Sequence, residues 1–409
     1  MTTITADVAV APRRSFQEVW VISLGHALTH WYPATFYLLL PLIGKELGLS
    51  YSEIGAVLTC QYFAGAIANI PGGIFVDTVG RKGLLMAASL FWIGFPYLIM
   101  GFSHAYWMIL ACATLVGIGN NLWHPSAIPW LANRFPQRKG LVMSIHGMGG
   151  NVGDAVAPLV AGALLGFMSW RDVVVINVVP GVLIAAFALI YLGRRQNGED
   201  AVSADAAPKI SAAERVRMFG ALLKNRALIT LAAGSSFRTM TQGALLTFLP
   251  LYLARQMGYP PLWIGACMFA LQAGGFIAAP IAGHLSDRVG RRQIILSSMA
   301  MSAIVIFLML FAGGTGWFVM FVSVLGFFLF AVRAVLQAWL LDATPPAMGG
   351  SAIGLLFASQ AFGQAVGPVS AGIVADHYGL MSAFYFLAGT IVVANFLVFV
   401  TPAGLMKRD

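Results

Sequence analysis

Twelve apolar runs, each long enough to cross a bilayer, follow one another along this chain of 409 residues, and they leave little choice of fold. They lie at roughly 18–42, 52–76, 84–103, 106–132, 140–167, 172–192, 228–254, 263–285, 294–312, 317–342, 351–375 and 381–403. Runs of this length match the thickness of a hydrocarbon core. Inside hydrocarbon every backbone polar group must be satisfied within its own segment, so the runs must be helices. Charged residues are 10% of the chain and apolar ones 59%, against roughly a quarter charged in a soluble domain. The expectation is an all-α membrane protein of twelve transmembrane helices. We number these runs as segments 1 to 12.

Lysine and arginine set the expected orientation. Nineteen lie on the side of the chain termini, three (Lys45, Arg171 and Arg255) on the other, and two within segments. Positive residues stay in the cytoplasm, which puts both termini there, in the cell inner membrane. The net charge of +9 is then topology rather than a nucleic-acid face. The run after Arg13 and Arg14 is too long for a cleavable signal. Cys60, Cys112 and Cys267 sit singly in apolar runs and read as packing residues.

The halves repeat. Gly55, Gly73, Asp77, Gly80, Arg81, Gly153, Pro158 and Gly162 recur as Gly265, Gly283, Asp287, Gly290, Arg291, Gly363, Pro368 and Gly372, always 210 residues on. Two parallel six-helix bundles follow, at 1–192 and 227–409, joined by a linker at 193–226. Such a duplication places a substrate site between the halves at mid-membrane. The linker begins as flexible polar chain. Its end, from Ile210 to Asn225, has the spacing of a helix lying on the inner leaflet.

"GGIFVDTVGRK" (72–82) and "GHLSDRVGRR" (283–292) fall in short loops of that termini side. Glycine permits the turn, and the aspartate can bind the basic pair. Asp77, Gly80, Arg81, Asp287, Gly290 and Arg291 are therefore expected to form a conformational latch. The small residues and prolines of segments 5 and 11 let helices pack closely and bend; no chemistry is assigned to them.

These paired glycine–aspartate loops resemble the signature of the major facilitator superfamily, over nearly the whole chain. Within it the chain is most similar to the fosmidomycin-resistance type of exporter, through "SLGHALTHWYPATFYLLLPLI" (23–43), "GIGNNLWHP" (117–125), "GGNVGDAVAPL" (149–159) and "SFRTM" (236–240). The resemblance implies a monomer that exports small, often anionic compounds in exchange for protons, with segments 1, 4, 7 and 10 lining a cavity. The chain departs from that pattern at Thr29 and His30, where asparagine and aspartate are usual. It departs again at Ser126, where glutamate is usual, and at Asp154, where a small hydroxyl residue is usual.

Polar and ionisable groups inside a membrane mark function. Here they are His26 and His30 in segment 1, Asn120, Asn121 and His124 in segment 4, and His146, Asn151 and Asp154 in segment 5. In the second half they are Arg238 and Gln242, Arg333 and Gln337, and Gln360 and Gln364. The repeat offset sets Arg238 level with Leu28 and Arg333 level with Trp123, so two arginines and three histidines share one layer. Arginine stays charged and needs an anion, a dipole or water. Arg238 and Arg333 are expected to grip a substrate anion, unless one of them pairs with Asp154 or a backbone carbonyl. His26, His30, Asn120, Asn121, His124, Gln242 and Gln337 complete the substrate-binding set. Asp154, His30 and His124 are the expected proton carriers. His26 and His30, spaced i, i+4, could instead hold a divalent metal, which the nearby arginines disfavour. Uptake rather than export uses the same residues. No nucleophile–base pair or cofactor fingerprint suggests an enzyme.

Overall fold

The structure is a computed structural model. It describes residues 16–120, 122–196, 220, 224–313, 315–344 and 349–402, apart from the side chains of 69, 70, 77, 194–196 and 349–351. The interfacial helix expected within 193–226, Asn121, and the side chain of Asp77 lie outside the described residues. Every regular element among the described residues is a helix.

The first half holds α1 (Gln17–Glu46), α2 (Tyr51–Val79), α3 (Lys82–Gly101), α4 (Tyr106–Asn120), α5 (Trp123–Arg134), α6 (Lys139–Leu164) and α7 (Trp170–Gln196). The second holds α8 (Arg226–Arg255), α9 (Pro261–Val289), α10 (Arg291–Ala312), α11 (Gly316–Asp342), α12 (Gly349–Tyr378) and α13 (Ser382–Phe399). α4 and α5 are the described parts of segment 4, on either side of position 121, so the thirteen helices correspond to the twelve segments.

Seven helices (α3, α7, α9, α10, α11, α12 and α13) are long and apolar enough on their own to cross a membrane. α1, α6 and α8 fall below that threshold because they carry the histidines, Asp154 and Arg238.

The loop glycines serve the turns. Gly80 sits at φ +68 and Gly290 at φ +109, in backbone that side chains rarely adopt. In the second copy Arg291 binds Asp287 at 2.7 Å and Asp342, the last residue of α11, at 2.8 Å. The basic turn is thereby fastened to α11 of its own half. Arg81 is exposed at the start of α3.

Contact between the halves has a clear pattern. Gly55 in α2 lies against the Pro368 carbonyl of α12, and Gly265 in α9 against the Pro158 carbonyl of α6. A Cβ at either position would come 2.4 or 2.3 Å from that oxygen. Gly162 meets Pro261 and Gly372 meets Tyr51 in the same way. These four glycines and two prolines are the repeated residues of the sequence, and here they seal the end of the molecule opposite the chain termini. At that end Asp376 of α12 also accepts the Tyr51 and Ser52 amides of α2, at 2.7 and 2.9 Å. Ser50 and Glu53 satisfy the neighbouring amides by a capping box.

Ser144, Gly147 and Met148 of α6 are exposed, as are their repeat partners Gly354, Phe357 and Ala358 of α12. The two halves are therefore in backbone contact at the end opposite the termini, and these exposed faces of α6 and α12 lie toward the other.

Candidate functional site

α1 and α6 approach through backbone contacts. Gly149 rests on the Ser23 carbonyl and Gly153 on that of Ala27. Gly150 leaves room for the rings of His26 and His30; a Cβ there would come 2.8 Å from His26 and 3.0 Å from His30. The small residues of α6 thus admit two imidazoles between tightly packed helices.

His26 is buried. Its Nδ1 lies 2.6 Å from the His146 carbonyl oxygen. A carbonyl only accepts, so Nδ1 carries the hydrogen, and in the neutral ring Nε2 is the acceptor. His124 Nε2, 3.0 Å away, then donates to it. The rings of His26 and His146 stack 4.0 Å apart at 11°. His146 is itself 4% exposed, and among the described residues neither of its ring nitrogens has a partner. A buried polar atom left without a hydrogen bond costs about 1–3 kcal/mol.

His30 faces the other way. Its Nδ1 donates to Asp154 Oδ2 at 2.9 Å, and the two side chains are 27% and 29% exposed, enough for water to reach them. A salt bridge between Asp154 and an arginine, left open on sequence, is not what forms. Tyr37 of α1 and Tyr62 of α2 share a hydroxyl contact.

Arg238 is 1% exposed. Its Nη1 donates to the Leu329 carbonyl of α11 and to Gln242, both at 3.2 Å, while Nε has no partner. One nitrogen of its fork thus staples α8 to α11, the carbonyl pairing that sequence left open. Arg333 is exposed in the middle of α11, and its charge bears on both Arg238 and His124. Among the described residues no hydrogen bond or ion pair engages it. Gln337, one turn on, is half-buried. Asn120 ends α4 with its Oδ1 buried and, among the described residues, unpartnered.

Sequence reasoning gave no role to His146, Tyr62 or Glu18. Glu18 is 2% exposed at the start of α1, where Trp130 and Arg134 each donate to it at 3.3 Å. Tyrosine is common in membrane helices and carries no signal by spacing. Glu18 reads as an ordinary first-turn acid.

A family model described as the Major Facilitator Superfamily matches residues 22–278 and 263–408. The chain belongs to that superfamily. Its relatives are transporters. The phosphoglycerate transporter protein of Salmonella typhimurium is 24% identical over 97% of this chain and 91% of its own length. The fosmidomycin resistance protein of Escherichia coli is 24% identical over 89% and 88%. These equal identities do not separate the branches of the family. Among solved structures, a bacterial homologue of the human lysosomal transporter Spinster, in an inward-facing and unoccupied conformation, superposes with a TM-score of 0.77. That likeness covers 97% of each chain at 15% identity and concerns the fold. The chain is an integral membrane transporter that takes a small molecule across the bilayer, and it is not an enzyme.

Proposed function

We propose that this chain exports a small organic anion, or an amphiphilic compound bearing an anionic group, in exchange for protons. The observation that carries the reading is Arg333: a guanidinium at the middle of a membrane helix, exposed toward His124 and Arg238, with no carboxylate on it. Such a charge persists where water or a ligand can reach it. Its planar fork suits a carboxylate, phosphate or phosphonate. Phosphoglycerate, carried by one relative, has that chemistry. Arg238 shapes the same floor while stapling α8 to α11. Asn120, Gln242 and Gln337 supply neutral donors around it, and Asn121 belongs to the same set by sequence.

Protons enter at His30 and Asp154. Neutral His30 donates one hydrogen to the carboxylate, so the pair carries one negative charge. Adding a proton neutralises it and removes the attraction that the opposing arginines would feel.

The four Gly–backbone contacts form the closed end in the present state. With both termini in the cytoplasm, the open end faces inward, and the latch loops around Asp77 and Asp287 close it when the halves rock. The glycine-rich α12 and the resistance relative favour export. Proton-driven uptake is the alternative, since the same residues would serve it.

A thermal-shift screen of purified protein against organic anions tests the substrate class. Stabilisation by a phosphorylated or carboxylated compound, lost in Arg333→Gln, is expected. Stabilisation that survives the substitution would remove Arg333 from the site.

A further inference from the structure

The histidines of the first half are arranged for more than proton handling. One ring nitrogen each from His26, His124 and His146 lie within 4.8 Å of one another. They come from α1, α5 and α6, three elements fixed against each other inside one half. His146, 4% exposed, has neither ring nitrogen bonded. A buried imidazole in that condition wants a partner between the rings.

We propose that His26, His124 and His146 form a binding site for a single first-row transition-metal ion of the zinc type. Neutral imidazoles suit Zn²⁺, Co²⁺ and Ni²⁺, and three of them with one open position is a familiar zinc environment. The hydrogen bond from His26 Nδ1 to the His146 carbonyl, at 2.6 Å, is the outer-shell contact that metal-bound histidines use. It fixes the ring and leaves Nε2 for the ion. His124 presents its Nε2 to the same point. Rotating His146 out of its stack breaks no hydrogen bond and brings a nitrogen inward. The three nitrogens then draw together toward metal bonds of about 2.0–2.1 Å.

Charges of both signs surround the cluster. Asp154 lies one ring away, beyond His30, which meets His26 edge-on at 4.8 Å. One Arg238 nitrogen is committed to the Leu329 carbonyl. Arg333 opposes a cation at His124 and sets a modest affinity. The site differs from the His26–His30 pair that helical spacing suggests, because His30 is taken by Asp154. All three ligands belong to one half, so parting of the halves does not release the ion. It is a resident or blocking ion rather than cargo.

The test is zinc titration of purified, tag-free protein by calorimetry, with Co²⁺ added separately as a spectroscopic stand-in. One Zn²⁺ per chain is expected, with visible ligand-field bands of four-coordinate Co²⁺. His146→Phe keeps the ring stack and removes both nitrogens. It should weaken zinc binding by at least the ~10–100-fold that even outer-shell losses cost, and abolish the bands. His124→Ala, a second variant should the first fail to fold, should do the same. Zinc binding unchanged in the variant that folds would place the ion on the cysteines or the surface and overturn the proposal. So would a parent protein that takes up no zinc at about millimolar concentration.

Discussion

Replacing Gly265 by alanine should push the molecule out of the state described here. The new Cβ would stand 2.3 Å from the Pro158 carbonyl oxygen and 3.1 Å from Leu159 Cα, where ordinary contact begins at 3.4 Å. Both neighbours are backbone of the opposite half and have no rotamer to change. The halves must therefore part by about 1.1 Å at this point, or the helices must bend. Overpacking of this kind costs ~1–3 kcal/mol. The strain exists only while this end is closed, so it acts on the balance between the two access states. A cost of that size shifts the balance about 5–150-fold. Spin labels at Phe167 and Tyr378, exposed at the closed end of each half, report it by their separation in a chain whose three cysteines are replaced. The account expects a longer distance population to rise in Gly265→Ala. It expects the same in Gly55→Ala, where the clash is 2.4 Å. Distances identical to the parent in folded protein would refute the claim that these glycines set the closure.

Further outcomes follow from named contacts. Asp154→Asn removes the carboxylate that faces His30 and should abolish the response of transport to a pH gradient while counterflow of substrate persists; paired flux assays separate the two. Glu18→Ala leaves the Arg134 guanidinium, whose side chain is 13% exposed, beside an emptied site. Removing one partner of a buried pair costs ~3–5 kcal/mol, which should appear as a lower melting temperature with ligand specificity unchanged. Asp376→Asn keeps the shape of the cross-half cap on α2 but weakens its acceptors, and should move the spin-label distances in the same direction as Gly265→Ala, by less.

Much of the fold is legible in the sequence because the bilayer permits so few structures. The twelve segments follow from apolar length, and the 210-residue offset pairs Gly55 with Gly265 and Pro158 with Pro368 before any contact is seen. What spacing cannot supply is the partner across the bundle. His26 and His30 share a helix face, yet one turns to His124 and His146 and the other to Asp154, a choice made by Gly150 on a different helix. Arg238 and Arg333 read alike in sequence. Only the neighbouring Leu329 carbonyl shows that one of them holds helices together and the other stands open. Asp376 falls at a helix end, and its use as a cap for α2 depends on how the halves meet.

Anion flux in proteoliposomes tests the central claim most directly. Vesicles containing the purified protein are loaded with a phosphorylated or carboxylated anion found by the thermal screen, and an inward-directed proton gradient is imposed. The account predicts release of the anion that accelerates with the gradient, stops when an ionophore collapses it, and is lost in Arg333→Gln. Flux indifferent to the gradient and undiminished by that substitution would contradict it.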